Sequence, residues 1–299
     1  MYIFQITLVI VSRTTENAQY DCTVMREPLC VAILTLDEGL DLPACLESLE
    51  KLVCPIFVID SNSKDGTSNI ASRLGAIVID FKWDGKYPKK KQWTLEKLGS
   101  EFEWILLLDA DERVGEKLAD EINALVSSSK MVDGTTAFEA QLDYRFQGKI
   151  LKHGFKPKKQ ILFKANKVRF PEIDDLTVSR MWEVEGHYQP NSEGKVQSLS
   201  NNLLHNDSGS LFEYISRHNR YSDWEAYVLS NDSVRQQVNS QKGFGARLFS
   251  RIPCKGLIFF VFSYFFKLGF LDGRAGFDFA MHRMFYQWQI KAKSLRNDY

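Results

Sequence analysis

The segment Trp104-Ile105-Leu106-Leu107-Leu108-Asp109-Ala110-Asp111-Glu112-Arg113 places two carboxylates two residues apart, directly after an apolar run. In an extended backbone residues i and i+2 point the same way, so Asp109 and Asp111 can face one ligand while Ala110 turns aside. Hard oxygen donors in that arrangement suit Mg2+ or Mn2+, and such an ion also takes oxygens from a diphosphate. The same pair could instead cap a following helix over 112–126. Upstream, Lys89-Lys90-Lys91 could supply the cation a diphosphate needs. A lysine run is more often a solvated face, so at most one of the three is expected to be a ligand. His205, which ends an apolar stretch in NNLLHND, is a further candidate to approach the metal or the diphosphate.

Such side chains need elements to hold them. Cys30–Thr35 is apolar without alternation and leads through Asp41 and Pro43 into Leu42, Leu46, Leu49 and Val53 at helical spacing. This reads as a buried strand feeding a helix. The unit repeats: a strand over 55–60, a turn over 61–66 and a helix over 67–74 closed by Gly75. A third strand over 76–80, a lysine-rich helix near 89–98 and a fourth strand over 104–108 follow. Strands apolar throughout and alternating with helices indicate a parallel sheet covered on both faces. Ligands of such sheets bind beyond the carboxyl ends of the strands. Those ends carry Thr35-Leu36-Asp37-Glu38, Asp60-Ser61-Asn62-Ser63 and Asp109-Ala110-Asp111, so three polar clusters are expected on one edge.

Composition narrows the function classes. Lys plus Arg total 38 and Asp plus Glu total 38, so no global field draws the chain to nucleic acid or to an anionic membrane, and any such contact must be local. Five cysteines, Cys22, Cys30, Cys45, Cys54 and Cys254, are odd in number and lack C-x-x-C spacing. They read as reduced thiols of a cytoplasmic protein. The first dozen residues are apolar but lack a basic leader region and are too short to span a bilayer. Residues 1–28 are therefore read as a loose extension, with Met25 as the expected native start.

The succession TLDEGLDLPACLESL, VIDSNSKDGT, GKYPKKKQWTLEKL and WILLLDADERV resembles family two of the glycosyltransferases, the large inverting group with the GT-A fold. It is similar in particular to the bacterial lipopolysaccharide-core and exopolysaccharide branch, closely over about residues 30–125 and more loosely beyond. The resemblance implies an α/β GT-A domain, a Rossmann-like nucleotide-binding sheet flanked by helices, over 29–208, with a nucleotide-sugar half (29–135) and an acceptor half (136–208). A C-terminal helical region, 209–299, would follow. It further implies that Thr35 and Glu38 lie against the nucleoside, that Asp60 hydrogen-bonds base or ribose, and that Lys91 and Gln92 stand near the diphosphate. Asp109 would contact ribose or metal, and Asp111 would be the principal ligand of Mn2+ or Mg2+. Two positions depart from the family pattern: Asp37 replaces the asparagine of T-x-N-E, and Ser61 replaces the second aspartate of V-D-D.

Inverting transfer requires a carboxylate across the sugar to take the acceptor's proton. The resemblance places it downstream of the aspartate pair, where Glu172, Asp174 and Asp175 in FPEIDD and Glu183 and Glu185 in MWEVEGHYQP are candidates. Aromatic neighbours would partly desolvate the second cluster and offer a platform for a sugar ring. Glu185 is preferred over Glu183 because Gly186 suggests a turn that leaves the carboxylate exposed in a cleft. An ordinary strand with both glutamates facing solvent is the plain alternative.

Beyond residue 136, AFEAQLDYRF and KKQILFK read as strands and Ser210–Leu229 as a helix whose Arg217, His218, Arg220 and Tyr221 could line the pocket. Residues 256–271, GLIFFVFSYFFKLGFL, are too short and carry a lysine, against the roughly 20 apolar residues of a spanning helix. They read as an interfacial helix flanked by basic residues, or else as a core helix; the family resemblance implies the first, at the inner face of the cell membrane. The expected partners are a nucleotide-sugar donor, UDP-linked, and a saccharide or lipid-linked acceptor of cell-surface polysaccharide or lipopolysaccharide synthesis. A sugar nucleotidyltransferase is disfavoured because its glycine-rich basic loop is replaced by DEGLDLP. A dinucleotide enzyme lacks its G-x-G-x-x-G after the first strand. A catalytically silent assembly protein on the same fold is the rival from another class.

Overall fold

The computed structural model describes residues 27–127, 134–176, 178, 183–185, 188–206, 209–240 and 255–297. The expected extension over 1–28, with its proposed start, lies almost wholly outside them, as do Cys22 and Cys254. The N-terminal units form as their patterns require. Strands β1 (Glu27–Thr35), β2 (Ile56–Asp60), β3 (Ile77–Asp80) and β4 (Phe102–Asp109) are joined through helices α1 (Leu42–Glu47), α2 (Thr67–Arg73) and α3 (Lys90–Leu98). They pair in parallel in the order β3-β2-β1-β4. Cys30 to Ile33 on β1 and Ile105, Leu106 and Leu108 on β4 are fully buried, because helices or loops cover both faces of these strands.

Helix α1 is shorter than its apolar spacing suggests. It ends at Glu47, turns follow, and Val53 is 92 % exposed instead of extending the buried stripe. A second difference follows Asp111. Residues expected to begin a helix at Glu112 form a short strand, β5 (Glu112–Arg113), and α4 starts only at Glu116 and runs to Ser127.

The sheet continues with an antiparallel turn of direction. The long β6 (Thr135–Phe146) carries the two-residue β7 (Lys149–Ile150) at its end, and β8 (Lys158–Lys164) pairs antiparallel with both β4 and β6. Strands β9 (Val168–Arg169) and β10 (Asn191–Ser192) form a separate pair, and β11 (Lys195–Ser198) adds to β6. Strand β12 (Leu203–Asn206) lies between β6 and β5, giving the order β4-β8-β6-β12-β5.

Helices follow the last strand. Helix α5 (Leu211–Ser230), expected from its spacing, opens with a capping box between Ser210 and Glu213. Helix α6 (Asp232–Ser240) follows it, and α7 (Lys255–Val261) begins the next described stretch. The expected single helix over 256–271 is broken. Helix α7 passes into a π-helical turn at Phe262–Phe266, Leu268 turns left-handed at φ 59°, and a 3-10 turn covers Gly269–Asp272. Gly269 sits so close to the π-turn that a Cβ there would meet the Ser263 carbonyl oxygen at 2.9 Å. The long α8 (Gly273–Arg296) then leaves at 73° to the first arm. Among the described residues no single helix is long and apolar enough to cross a membrane, while this bent pair passes that test of length and composition jointly.

Candidate active site at the carboxyl edge of the sheet

The three polar clusters at the strand ends form two linked centres. Asp60 closes the first. Its carboxylate accepts Thr35 Oγ1 at 2.8 Å, Ser63 N–H at 2.9 Å and Ser63 Oγ at 2.5 Å. Burial works against its ionisation, but these donors hold the carboxyl below its ordinary range. Asp60 is 1 % exposed and therefore shapes the loop after β2 from beneath. The loops after β1 and β2 are stitched together: Ser63 Oγ accepts Asp37 N–H, Asp37 Oδ1 accepts Lys64 N–H, and Thr67 Oγ1 accepts Glu38 N–H. Asp37 stands at φ 56°, a left-handed conformation that asparagine and aspartate tolerate better than most residues, so both suit this position.

The lysine run does not form a solvated face. Lys89 and Lys90 are buried and each has its own partners. Lys89 Nζ lies 2.9 Å from Asp175 Oδ1, with both side chains wholly buried, and Asp175 also accepts Tyr87 Oη and Trp224 Nε1 at 2.8 Å each. Lys90 Nζ donates to the Thr35 carbonyl at 2.6 Å and to Ser61 Oγ at 2.5 Å, and stands 3.3 Å from Glu183 Oε1. Ser61 Oγ donates to the same Glu183 oxygen. Desolvation depresses both ammonium pKa values, while their carboxylate partners pull the other way. Only Lys91 turns toward the second centre, where it lines a cleft with Asp109, Lys159, Gln160, Tyr188 and Gln189.

The two glutamates singled out by sequence have different surroundings. Glu185 is 4 % exposed, and its two oxygens accept the backbone N–H groups of Lys91 and Gln92 at 2.8 Å each. It satisfies amides that the first turn of α3 would otherwise leave without partners. The expectation of a carboxylate exposed in a cleft beside Gly186 therefore meets a buried capping residue; Gly186 itself lies outside the described residues. Glu183 is half-buried at the rim of the first centre, in contact with Ser61 and Lys90. Of the FPEIDD acids, Asp175 is the buried anchor described above.

Asp109 ends β4 and Asp111 lies in the turn after it, in the second centre. Strand β8 runs antiparallel beside it with Leu106 opposite Leu162, so three residues further Asp109 faces Lys159. Lys159 Nζ lies 2.6 Å from Asp109 Oδ2 and 2.7 Å from Glu112 Oε1, while Glu112 Oε2 accepts the Asp109 N–H at 2.9 Å. Against desolvation, Lys159 and then Lys91 hold the Asp109 carboxyl far below its usual range. Burial opposes the charge on Lys159, yet the two carboxylates keep its ammonium well above the usual lysine range. Glu112 is pushed up, first by burial.

Asp111 meets His205. Pairing of β5 with β12 sets Glu112 opposite His205, the Asn206 N–H donates to the Asp111 carbonyl at 2.7 Å, and His205 Nδ1 comes to 3.4 Å from Asp111 Oδ1. Glu38 approaches from β1. Its pKa rises to about 8, chiefly through desolvation and then through the charges of Asp111 and Asp41, with Arg217 opposing. Tyr221 of α5 is pushed up to about 12 by burial and by Asp111 and Asp109. Thus α5 brings Arg217 and Tyr221 over the aspartate edge. Lys159 and Glu112 carry no motif of their own and are visible only once the register of β8 is known.

A carboxylate is a fitting donor for Mn2+ or Mg2+, and an imidazole beside it favours Mn2+, the softer of the two. Among the described residues no three His, Cys, Asp or Glu side chains converge tightly enough to hold an ion alone. Asp111 and His205 could therefore supply at most part of an ion's coordination, the rest falling to a ligand's oxygens. Burial pushes the Cys45 thiol up to about 12 and the Cys54 thiol to about 11.

Comparison with known proteins bears on this edge. Residues 30–172 match the model of glycosyl transferase family 2. The chain is 25 % identical over 247 residues to an uncharacterized glycosyltransferase of Rickettsia typhi, covering 82 % of this chain and 79 % of that one. It is 31 % identical over 115 residues to the lipopolysaccharide core biosynthesis glycosyltransferase LpsC of Rhizobium meliloti, covering 36 % and 40 %. Among solved structures it is similar to a mannosyltransferase from Pyrobaculum calidifontis in complex with GDP-Man and Mn2+, with a TM-score of 0.48 and 12 % identity over 92 % of this chain and 89 % of that one. The mixed α/β sheet with its C-terminal helices is the GT-A architecture that the motifs imply.

Proposed function

We infer that this chain, a glycosyltransferase by its family 2 match and the names of its relatives, transfers a sugar with inversion from a nucleotide-sugar, UDP-linked, to a saccharide or lipid-linked acceptor. The observation that carries this reading is the cleft at the carboxyl end of β4 lined by Asp109, Lys91 and Lys159, with the Asp111–His205 pair just beyond the strand end. Such an edge presents acids for a divalent cation next to cations for a diphosphate. The likeness to LpsC supports a role in lipopolysaccharide or other cell-surface polysaccharide synthesis. A cytoplasmic protein held peripherally at the inner membrane face fits that acceptor class.

In this reading Thr35, Glu38 and Asp60 shape the nucleoside end, and Asp109 meets the ribose or the metal. Asp111 and His205 hold Mn2+ or Mg2+, which would draw negative charge off the departing diphosphate. Lys91 adds a cation there. An acceptor hydroxyl attacks the anomeric carbon, the carbon–oxygen bond to the diphosphate breaks, and a carboxylate takes the hydroxyl proton. Glu183, at the rim, is assigned that last role; Glu185 positions α3 and with it Lys91.

A thermal-shift screen of nucleotides and nucleotide-sugars with Mn2+, run on wild type and Asp111→Asn, tests the proposal. Stabilisation by uridine nucleotides that needs both metal and Asp111 is expected. Stabilisation indifferent to both, or none with any donor, sinks it.

A further inference from the structure

The C-terminal bend is built onto a loop more than a hundred residues earlier. Buried Asp272 accepts the backbone N–H groups of Lys152 at 3.1 Å and His153 at 2.8 Å, and Lys149 Nζ donates to its carbonyl at 2.8 Å. Gly154 N–H donates to the Lys267 carbonyl at 2.8 Å, and Phe155 N–H to Ser263 Oγ at 3.0 Å. The Phe155 ring meets those of Phe259 and Phe262, with centroids 5.3 and 6.3 Å apart. Loop 149–155 and the bent segment 255–277 are therefore one unit, with the loop's amides satisfied by the bend.

The outer side of this unit is apolar. Leu257, Phe262, Phe265, Phe266, Phe270 and Leu271 are exposed there, Phe266 by 75 %. A contiguous patch of this kind marks an interaction surface, since single exposed apolar residues are ordinary but clusters are not. Its exposed charges are mainly basic. Between Lys255 and Asp278 the charged residues are Lys255, Lys267, Asp272, Arg274 and Asp278; Asp272 is buried and Asp278 is paired with Arg274 at 2.8 Å. The earlier loop adds exposed Lys149 and Lys152. A second copy of the chain seated face to face would bring two mainly basic surfaces together. An anionic headgroup layer accepts the same cations while phenylalanines enter the acyl boundary.

Tyr144, near the end of β6, links this face to the aspartate edge. Its ring centroid is 5.2 Å from Phe279 of α8 and 5.3 Å from His205, which stands beside Asp111.

We propose that loop 149–155 and the bent segment 255–277 form a single two-part platform that docks on an anionic lipid bilayer and holds the Asp111 centre at headgroup level. Docking stands on the surface alone; only its use, presenting an acceptor at the bilayer surface, rests on the transferase reading. The test is flotation of the full chain with phosphatidylcholine vesicles, with and without phosphatidylglycerol. Wild type is expected to float with the anionic vesicles and to be released by salt. Phe265→Ser with Phe266→Ser should lower binding roughly tenfold or more. Lys152→Glu, on the earlier loop, should weaken binding to anionic vesicles alone. Melting temperature and metal-dependent nucleotide stabilisation should stay at wild-type values in both variants. Failure of wild type to bind vesicles overturns the proposal, as does indifference to Lys152→Glu. Self-association that the phenylalanine changes abolish would overturn it in favour of a second copy. The nucleotide readout reports separately on the transferase reading.

Discussion

Lys159 and Asp109 face each other across the antiparallel strands β8 and β4, with Lys159 Nζ 2.6 Å from Asp109 Oδ2 and the same nitrogen 2.7 Å from buried Glu112. One ammonium is thus shared between two carboxylates beside Asp111. Lys159→Met should leave Glu112 buried without its cation, a loss of about 3 kcal/mol. Chemical denaturation checks this, and unchanged stability would show the pair to be dispensable. Adding Glu112→Gln to the same chain should recover part of the loss, because the uncompensated charge is then gone.

Asp111→Asn should remove the metal-dependent part of nucleotide stabilisation while leaving the ligand-free melting temperature near wild type. At roughly a hundred times the dissociation constant, the wild-type gain is about 2.7 kcal/mol, and the variant should forfeit most of it. His205→Ala should lie between the two if it shares the ion. Wild-type nucleotide response in Asp111→Asn would remove the metal role from this residue.

Glu183 and Glu185 should separate into different phenotypes. Glu185→Ala deletes two charge-assisted bonds to the α3 amides and should cost about 2 kcal/mol of stability, with Glu185→Gln recovering part of it. Glu183→Gln should instead lower kcat by about a hundredfold or more while nucleotide binding persists. Equal kcat in Glu183→Gln and wild type would remove the base role from Glu183.

The pH dependence of the metal-free protein should carry the signature of Glu38. Its pKa rises from an ordinary 4.5 to about 8 on folding, so between those values the native state keeps a proton that the unfolded chain has released. Stability therefore declines as pH is raised through this window and is greatest at its acid end. Melting temperatures measured in chelator across the window should fall toward pH 8, and Glu38→Gln should flatten that slope. A slope unaltered by the substitution would place its origin elsewhere.

Strands β1 to β4 and helices α3 and α5 are legible because their signals are local: apolar runs, helical spacing and turn residues within a few positions. Val53 was misassigned to a helical stripe because spacing cannot reveal that α1 stops at Glu47. Glu112 went to β5 instead of a helix because β12, some ninety residues later, pairs with it. Lys159 was hidden for the same reason, since its strand was recognisable but its register was not. The lysine run was misjudged as mostly solvated because the partners of Lys89 and Lys90, Asp175 and Glu183, arrive from a distant segment.

The two amides that Glu185 accepts at the start of α3 are the kind of donors that phosphate-binding enzymes often aim at their ligand. Here the polypeptide has already spent them on its own side chain, so this helix end offers no vacant nest for an incoming anion. Whatever grip the chain's own residues exert on a pyrophosphate beside α3, apart from any bound divalent cation, must come from ammonium groups, whose hold weakens with ionic strength far more than that of a preset backbone cradle.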